Sequence, residues 1–259
     1  MGKTKKYLLD SLHEKGALMA ALIDPLDYSS LDLAIKAGVT SAQAGADYVL
    51  VGGSTGVGGE LLDTVVKEIK SAISVPLVLF PGNVTTVSKY ADALYFMSML
   101  NSRNPYWISG AQILAAPTVA QYKVEALSMG YMVVEPGGTV GWVGDANKIP
   151  RTKPALAAAT ALASEFMGAN FVLSDAGSNP ADGPIPSNMA RAISDAISIP
   201  YIVGGGVRTV AQAKEIVKAG ADIIQIGTAI EGGDVGKTVS SLAQAIHSAG
   251  KGRCKDFSV

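Results

Sequence analysis

Two glycine-bearing segments carry the first chemical signal. Residues 203–208 (VGGGVR) and 226–229 (IGTA) place glycines where backbone N–H groups can come close to an anion. A helix starting after the first segment would add its positive end. Gly205, Gly206, Gly227 and Thr228 are therefore candidate phosphate-binding residues, although Gly204, Gly205 and Gly206 would also suit a plain tight turn. Carboxylates form the second signal. Asp24, in Ile23-Asp24-Pro25, is placed to offer oxygen to Mg2+, and Ser54, after Gly52-Gly53, offers a second oxygen. Asp24 could equally cap a helix over residues 29–35, and Ser54 could be a turn hydroxyl. Asp175 and Glu135 each end an apolar run. Strand alternation puts Phe171, Leu173 and Asp175 on one side, so an inward-facing Asp175 would stand over Leu173. Burial there would raise its pKa and suit it to proton transfer, unless nearby amides of residues 176–179 simply hold it. The only two histidines, His13 and His247, fall on helical patterns among polar neighbours and read as solvated. That argues against a histidine-based triad or zinc site.

These residues need a frame that brings distant segments together. Eight short apolar runs span the chain: residues 17–24, 46–53, 75–82, 93–100, 130–137, 169–177, 199–206 and 221–228. Most are nearly continuous in apolar residues, as parallel strands covered on both faces are. Helical patterns such as 61–72 (LLDTVVKEIKSA) and 210–219 (VAQAKEIVKA) separate them. The alternation predicts an α/β fold, a (β/α)8 TIM barrel forming one domain over residues 1–259, rather than an open doubly wound sheet. Asp24, Ser54, Glu135, Asp175 and both glycine segments then lie at the carboxyl ends of strands, where barrels place their chemistry. The loops after strands seven and eight commonly bind phosphate. Two longer intervals, 101–122 and 135–151, fall on the same face, and their Tyr106, Trp107 and Trp142 would line an apolar pocket or pack as scaffold.

Bulk composition fits one soluble domain. The 259 residues are 48% apolar, enough for a full barrel core, and a net charge of −1 leaves no basic field for nucleic acid. A single cysteine, Cys254, rules out an internal disulfide framework and fits a reducing, cytoplasmic setting. The first apolar stretch, residues 7–12, is short and broken by Asp10, so neither a signal peptide nor a membrane span is expected.

Across nearly its whole length the sequence resembles the geranylgeranylglyceryl phosphate synthases and related prenylglyceryl phosphate synthases. The resemblance rests on LIDP at 22–25, VGGST at 51–55, FPGN at 80–83, NPYWISGAQ at 104–112, VEPGGTVGWVGDANKIPR at 134–151, and VGGGVR. It implies Mg2+-dependent transfer of a prenyl group from its diphosphate to the 3-hydroxyl of sn-glycerol 1-phosphate, by a cytoplasmic homo-oligomer. By the same likeness, the metal ligands fall on Asp24 and Ser54. The glycerol-phosphate site falls on Leu173, Ser174, Asp175, Ala176, Gly177, Ser178 and Asn179, with Gly205, Gly206, Gly227 and Thr228.

The chain departs from that pattern at strand ends. The family's YLEAGSG is LSDAGSN here, its GN after strand eight is Gly227-Thr228, its DPDK is Asp24-Pro25-Leu26-Asp27, and Met19 stands where many relatives have histidine. Three functions remain open. The first is a prenyltransferase, weakened by these changes, in which Asp175 takes the nucleophile's proton. The second is a non-catalytic phosphate-binding relative. The third is a barrel altered, naturally or by engineering, so that Asp175 abstracts a proton from an apolar carbon acid.

Overall fold

The computed structural model describes residues 2–253 and residue 257; Cys254 lies outside the described residues. Eight parallel strands close into a barrel in sequence order: β1 (Leu18–Ile23), β2 (Tyr48–Val51), β3 (Leu77–Leu79), β4 (Ala93–Met99), β5 (Glu125–Val133), β6 (Phe171–Asp175), β7 (Tyr201–Gly204) and β8 (Ile223–Ile226). Pairing of Leu18 with Ile223 through Ala21 with Ile226 shuts the seam between β1 and β8. The expected closed barrel is the observed one.

Each strand alternates between two apolar layers. Leu18, Tyr48, Val78, Tyr95, Leu127, Phe171, Leu173, Ile202 and Ile223 pack inside the barrel. Met19, Val49, Leu79, Val172, Val203 and Ile224 face the surrounding helices. Helix α1 (Lys3–Lys15) closes the floor, with Leu8 and Leu12 joining the inner layer. The other helices are α2 (Leu31–Gln43), α3 (Gly59–Ala72), α4 (Ala111–Tyr122), α5 (Gly138–Val143), α6 (Pro154–Phe166), α7 (Ser187–Ala196), α8 (Val210–Lys218) and α9 (Val235–Gly250).

Three features differ from the sequence reading. β5 begins at Glu125, not at residue 130, and pairs with β4 from Ala93↔Glu125 to Met99↔Tyr131. Glu125 hid this start because it is charged. Its carboxylate lies at the floor and accepts the Thr4 and Lys5 amides at 2.7 and 3.0 Å, capping α1. Second, no helix separates β3 from β4, so strand–helix alternation lapses once. Third, the 101–122 interval is a π-helical turn, Tyr106–Gly110, followed by α4 rather than an open loop. The 135–151 stretch is knitted to the barrel. Arg151 donates to the carbonyls of Asp182 and Pro184 at 3.0 and 2.7 Å, and Asn101 donates to the carbonyl of Val133 at 2.8 Å.

Candidate active site

The carboxyl ends of the strands open into one cavity of about 1400 Å³, counting its open mouth. Asp24, Ser54, Asp175, Gly177, Ser178, Asn179, Gly205, Gly206, Gly227 and Thr228 all line it. Segments more than 200 positions apart in the chain thus meet at one place. Ser174 and Ala176 do not reach it. They alternate outward; Ser174 shares a 2.6 Å hydrogen bond with the Tyr201 hydroxyl, and Ala176 packs in the outer layer. Leu173 faces inward, in the layer below Asp175.

Asp175 is 6% exposed. Both of its oxygens have protein partners: Oδ1 accepts the Gly177 amide at 2.7 Å and Oδ2 accepts the Tyr131 phenol at 2.9 Å. Burial raises its pKa, and these two donors pull the other way without cancelling the rise. The inward, partly shielded carboxylate and the amide-held carboxylate, alternatives from the sequence, are both realised.

Asp24 lies just past β1. It does not cap a long helix: Ser30 caps α2, and Asp24 precedes only a short turn of 3₁₀ helix. Its Oδ1 is buried and has no protein partner. A Cβ added at Gly52 would stand 3.0 Å from that oxygen, so the bare glycine leaves space beside it. Burial first, then the charges of Asp27, Glu231 and Asp175, push the Asp24 carboxyl up to about 7. An unpartnered buried oxygen among like charges is a fit for a hard divalent cation. Ser54 is exposed on the same rim. Among the described residues no group of three or more His, Cys, Asp or Glu could hold a metal ion by itself.

The glycine cradle is tight. Gly205 and Gly206 have φ of 80° and 81°, and a Cβ on Gly205 would fall 2.6 Å from the Gly177 carbonyl oxygen. Only glycine brings the two loops this close. Across the mouth, Phe80 meets the rings of Tyr95 and Tyr131 edge-on at 5.6 and 6.0 Å. The cavity then runs over Val84, Val87, Leu94, Phe96, Ala111 and Ala115, into the gap left where no helix follows β3.

A model of the PcrB family matches residues 12–246. The chain belongs to the PcrB family. It is 52% identical to a geranylgeranylglyceryl phosphate synthase of Pyrococcus horikoshii, covering 89% of this chain and 90% of that one. It is 49% identical to the synthase of that name from Thermococcus kodakarensis, over 94% and 96% of the two chains. A crystal structure of (S)-3-O-geranylgeranylglyceryl phosphate synthase from Thermoplasma acidophilum, in complex with substrate sn-glycerol-1-phosphate, superposes with a TM-score of 0.89. That pair shares 33% identity over 96% of this chain and 99% of the other.

Several residues of this PcrB-family chain sit elsewhere than the sequence suggested. Glu135 is exposed and accepts the Arg151 amide at 3.3 Å, away from the cavity. Trp107 lines the cavity, but Trp142 is 86% exposed. His247 is not a solvated helix residue: its Nε2 lies 2.8 Å from the buried Asp47 carboxylate at the floor. Several cavity residues were missed, among them Tyr131, Arg208 and Gln225. Tyr131 lies on β5 two residues before Val133 and faces inward with it, which strand alternation from a corrected start would have shown. Arg208 closes the VGGGVR segment and lines the cavity beside the cradle. Gln225 is the inward-facing polar residue of β8.

Proposed function

We propose that this protein joins a prenyl group from its diphosphate to the 3-hydroxyl of sn-glycerol 1-phosphate, releasing diphosphate. The observation that carries this reading is the continuity of one cavity, from the glycine cradle past Asp24 and Asp175 into the apolar groove beside α4. A phosphate, a reacting hydroxyl, a diphosphate and a hydrocarbon tail each have a chemically matched place along it, in that order. Kinship with chains named for the same synthesis supports it.

In this reading Gly205, Gly206, Gly227 and Thr228 hold the glycerol phosphate through backbone amides, with Gly177, Ser178 and Asn179 along one side and Arg208 adding positive charge. Asp175 accepts the proton of the 3-hydroxyl while that hydroxyl's oxygen bonds to the prenyl C1 and the C1–O bond to diphosphate breaks. The Gly177 amide and Tyr131 phenol fix the aim of that carboxylate. Asp24 and Ser54 would hold Mg2+, which supplies charge neutralisation for the diphosphate leaving group. The gap after β3 takes the tail because apolar walls there exclude water.

A second reading, a relative that binds phosphate without turnover, is favoured by one observation. Asp27 adds negative charge next to Asp24, where a diphosphate would need the opposite sign. A product assay with sn-glycerol 1-phosphate, geranylgeranyl diphosphate and Mg2+ separates the two. We expect prenylated glycerol phosphate and free diphosphate from the wild type and none from Asp24→Ala. Glycerol phosphate binding without product would establish the second reading instead.

The proposal extends to assembly. Ile113 and Leu114 of α4, with Phe166 and Met167 at the end of α6, are all well exposed, and Ile113 and Met167 line a shared groove over β4 and β5. A contiguous apolar face of this kind suits a second copy of the chain. No helix among the described residues is long and apolar enough to cross a membrane.

A further inference from the structure

The inner layer of the barrel is mostly apolar, and its polar groups are largely paired: the phenols of Tyr48 and Tyr95 bond each other and that of Tyr131 bonds Asp175. Ile223 of β8 packs inside, and Ile224 and Ile226 pack outside, so alternation turns Gln225 inward. Gln225 is 4% exposed, and its Oε1 has no hydrogen-bond partner. It nevertheless lines the cavity. A buried carbonyl oxygen left unpaired opposes folding, whereas an aliphatic residue of similar length would fill the place without that penalty.

Strand register says what the carboxamide faces. Asp175 pairs with Gly204, and Gly204 pairs with Gln225, so the three lie side by side at one level. Gly204 has no side chain, and a Cβ there would stand 3.4 Å from Asp175 Cγ. On the other flank Gln225 pairs with Ala20, also small. The carboxylate and the carboxamide therefore border one slot. Gly227 of the anion cradle is two residues further along the chain, just past the end of β8.

We propose that Gln225 Oε1 accepts a hydrogen bond from the secondary hydroxyl of the glycerol phosphate and so determines which phosphate ester the site takes. The inference rests on the function proposed above. With the phosphate on Gly205, Gly206, Gly227 and Thr228 and the 3-hydroxyl at Asp175, the 2-hydroxyl occupies the interval between them. Gln225 lines the cavity at that level, across Gly204 from Asp175. The site then prefers a three-carbon phosphate with a secondary hydroxyl over one lacking it, because without that hydroxyl the buried oxygen stays unpaired.

Titration calorimetry tests this with three ligands: sn-glycerol 1-phosphate, 1,3-propanediol monophosphate and inorganic phosphate. The wild type should bind glycerol phosphate on the order of tenfold more tightly than the propanediol ester. Gln225→Met, close in shape but without the acceptor, should reduce that preference to about twofold or less, an almost complete loss of the hydrogen bond's contribution. Inorganic phosphate should bind both proteins equally, which also shows that the variant is folded. A variant that keeps the full preference overturns the role of Gln225 while leaving the proposed function standing. A wild type that binds inorganic phosphate but not glycerol phosphate overturns both. If Gln225→Met does not fold, a crystal structure of the wild type with sn-glycerol 1-phosphate decides. The 2-hydroxyl within hydrogen-bond distance of Gln225 supports the inference, and a hydroxyl directed elsewhere refutes it.

Discussion

Asp175 has both oxygens engaged and almost no solvent, and its pKa is raised from an ordinary value of 3.8 chiefly by burial. The sign of the effect on stability follows. As pH rises, the unfolded chain releases this proton before the folded one does, so the folded state loses ground from about pH 4 upward to the folded pKa. Asp175→Asn removes that term; its Oδ1 can still accept the Gly177 amide, and its amide nitrogen would donate to the Tyr131 phenol oxygen in place of the present bond. Without added divalent ions, the variant should unfold at higher urea than the wild type at pH 7, with the gap closing toward pH 4. A variant that instead unfolds at lower urea than the wild type at pH 7, with the difference shrinking toward acid, would show that Asp175 is held as a stabilised anion. The carboxylate's position was legible in the sequence, because alternation along β6 needs only the strand's end. Its partner was not. Tyr131 lies one strand away, and a contact across strands depends on register, which no local pattern records. Gln225 was hidden for a related reason: a single polar residue in an apolar run shows its meaning only once its neighbours across the sheet, Gly204 on β7 and then Asp175 on β6, are known.

At the scale of elements, the floor of the barrel is held by a repeated device. Asp47, Asp92 and Asp222 each follow an alanine just before a strand, and each carboxylate takes an amide of the preceding strand: Met19, Leu77 and Tyr201. Asp47 does most. It also accepts Lys15 at 2.6 Å and meets His247 at 2.8 Å, tying α1 and α9 to the start of β2. Asp47→Ala would strand the buried Met19 amide and both partners, a loss of at least about 1–3 kcal/mol. Urea unfolding at neutral pH should show the lowered midpoint, while kcat of the folded enzyme stays near the wild-type value because Asp47 lies at the end opposite the cavity. An unchanged midpoint would remove Asp47 from the set of floor ties. Eight apolar runs were enough to place the strands, since each needs only cover on two faces. The ends were less secure. Charged Glu125 concealed the first residues of β5, and the strand–helix rhythm elsewhere implied a helix after β3 where none forms. That same gap supplies the apolar groove, so the apolar part of the cavity was the part the sequence described least.

The whole molecule joins a closed barrel, one continuous cavity at its carboxyl end and exposed apolar residues on its outer face. The outer face predicts self-association. Sedimentation should find the wild type larger than a monomer, and Ile113→Lys with Phe166→Glu should shift it toward the monomer; a wild type that stays monomeric at high concentration contradicts the assembly proposal. The closed barrel and the ring of candidate residues at its mouth were readable from chain order, because a parallel barrel sends every strand's carboxyl end to one face. Which side chains turn into the mouth was not, and Ser174, Ala176, Glu135 and Trp142 turn away for reasons of alternation and loop path. The central claim is that Asp175 takes the proton of a glycerol phosphate hydroxyl as a prenyl group is transferred to it. The most direct measurement is the rate of prenylated glycerol phosphate formation by wild type and Asp175→Asn at saturating substrates and Mg2+. The account predicts measurable product from the wild type and a fall of about 10²–10⁴-fold in the variant. Equal rates from the two proteins, or no product from the wild type, would contradict it.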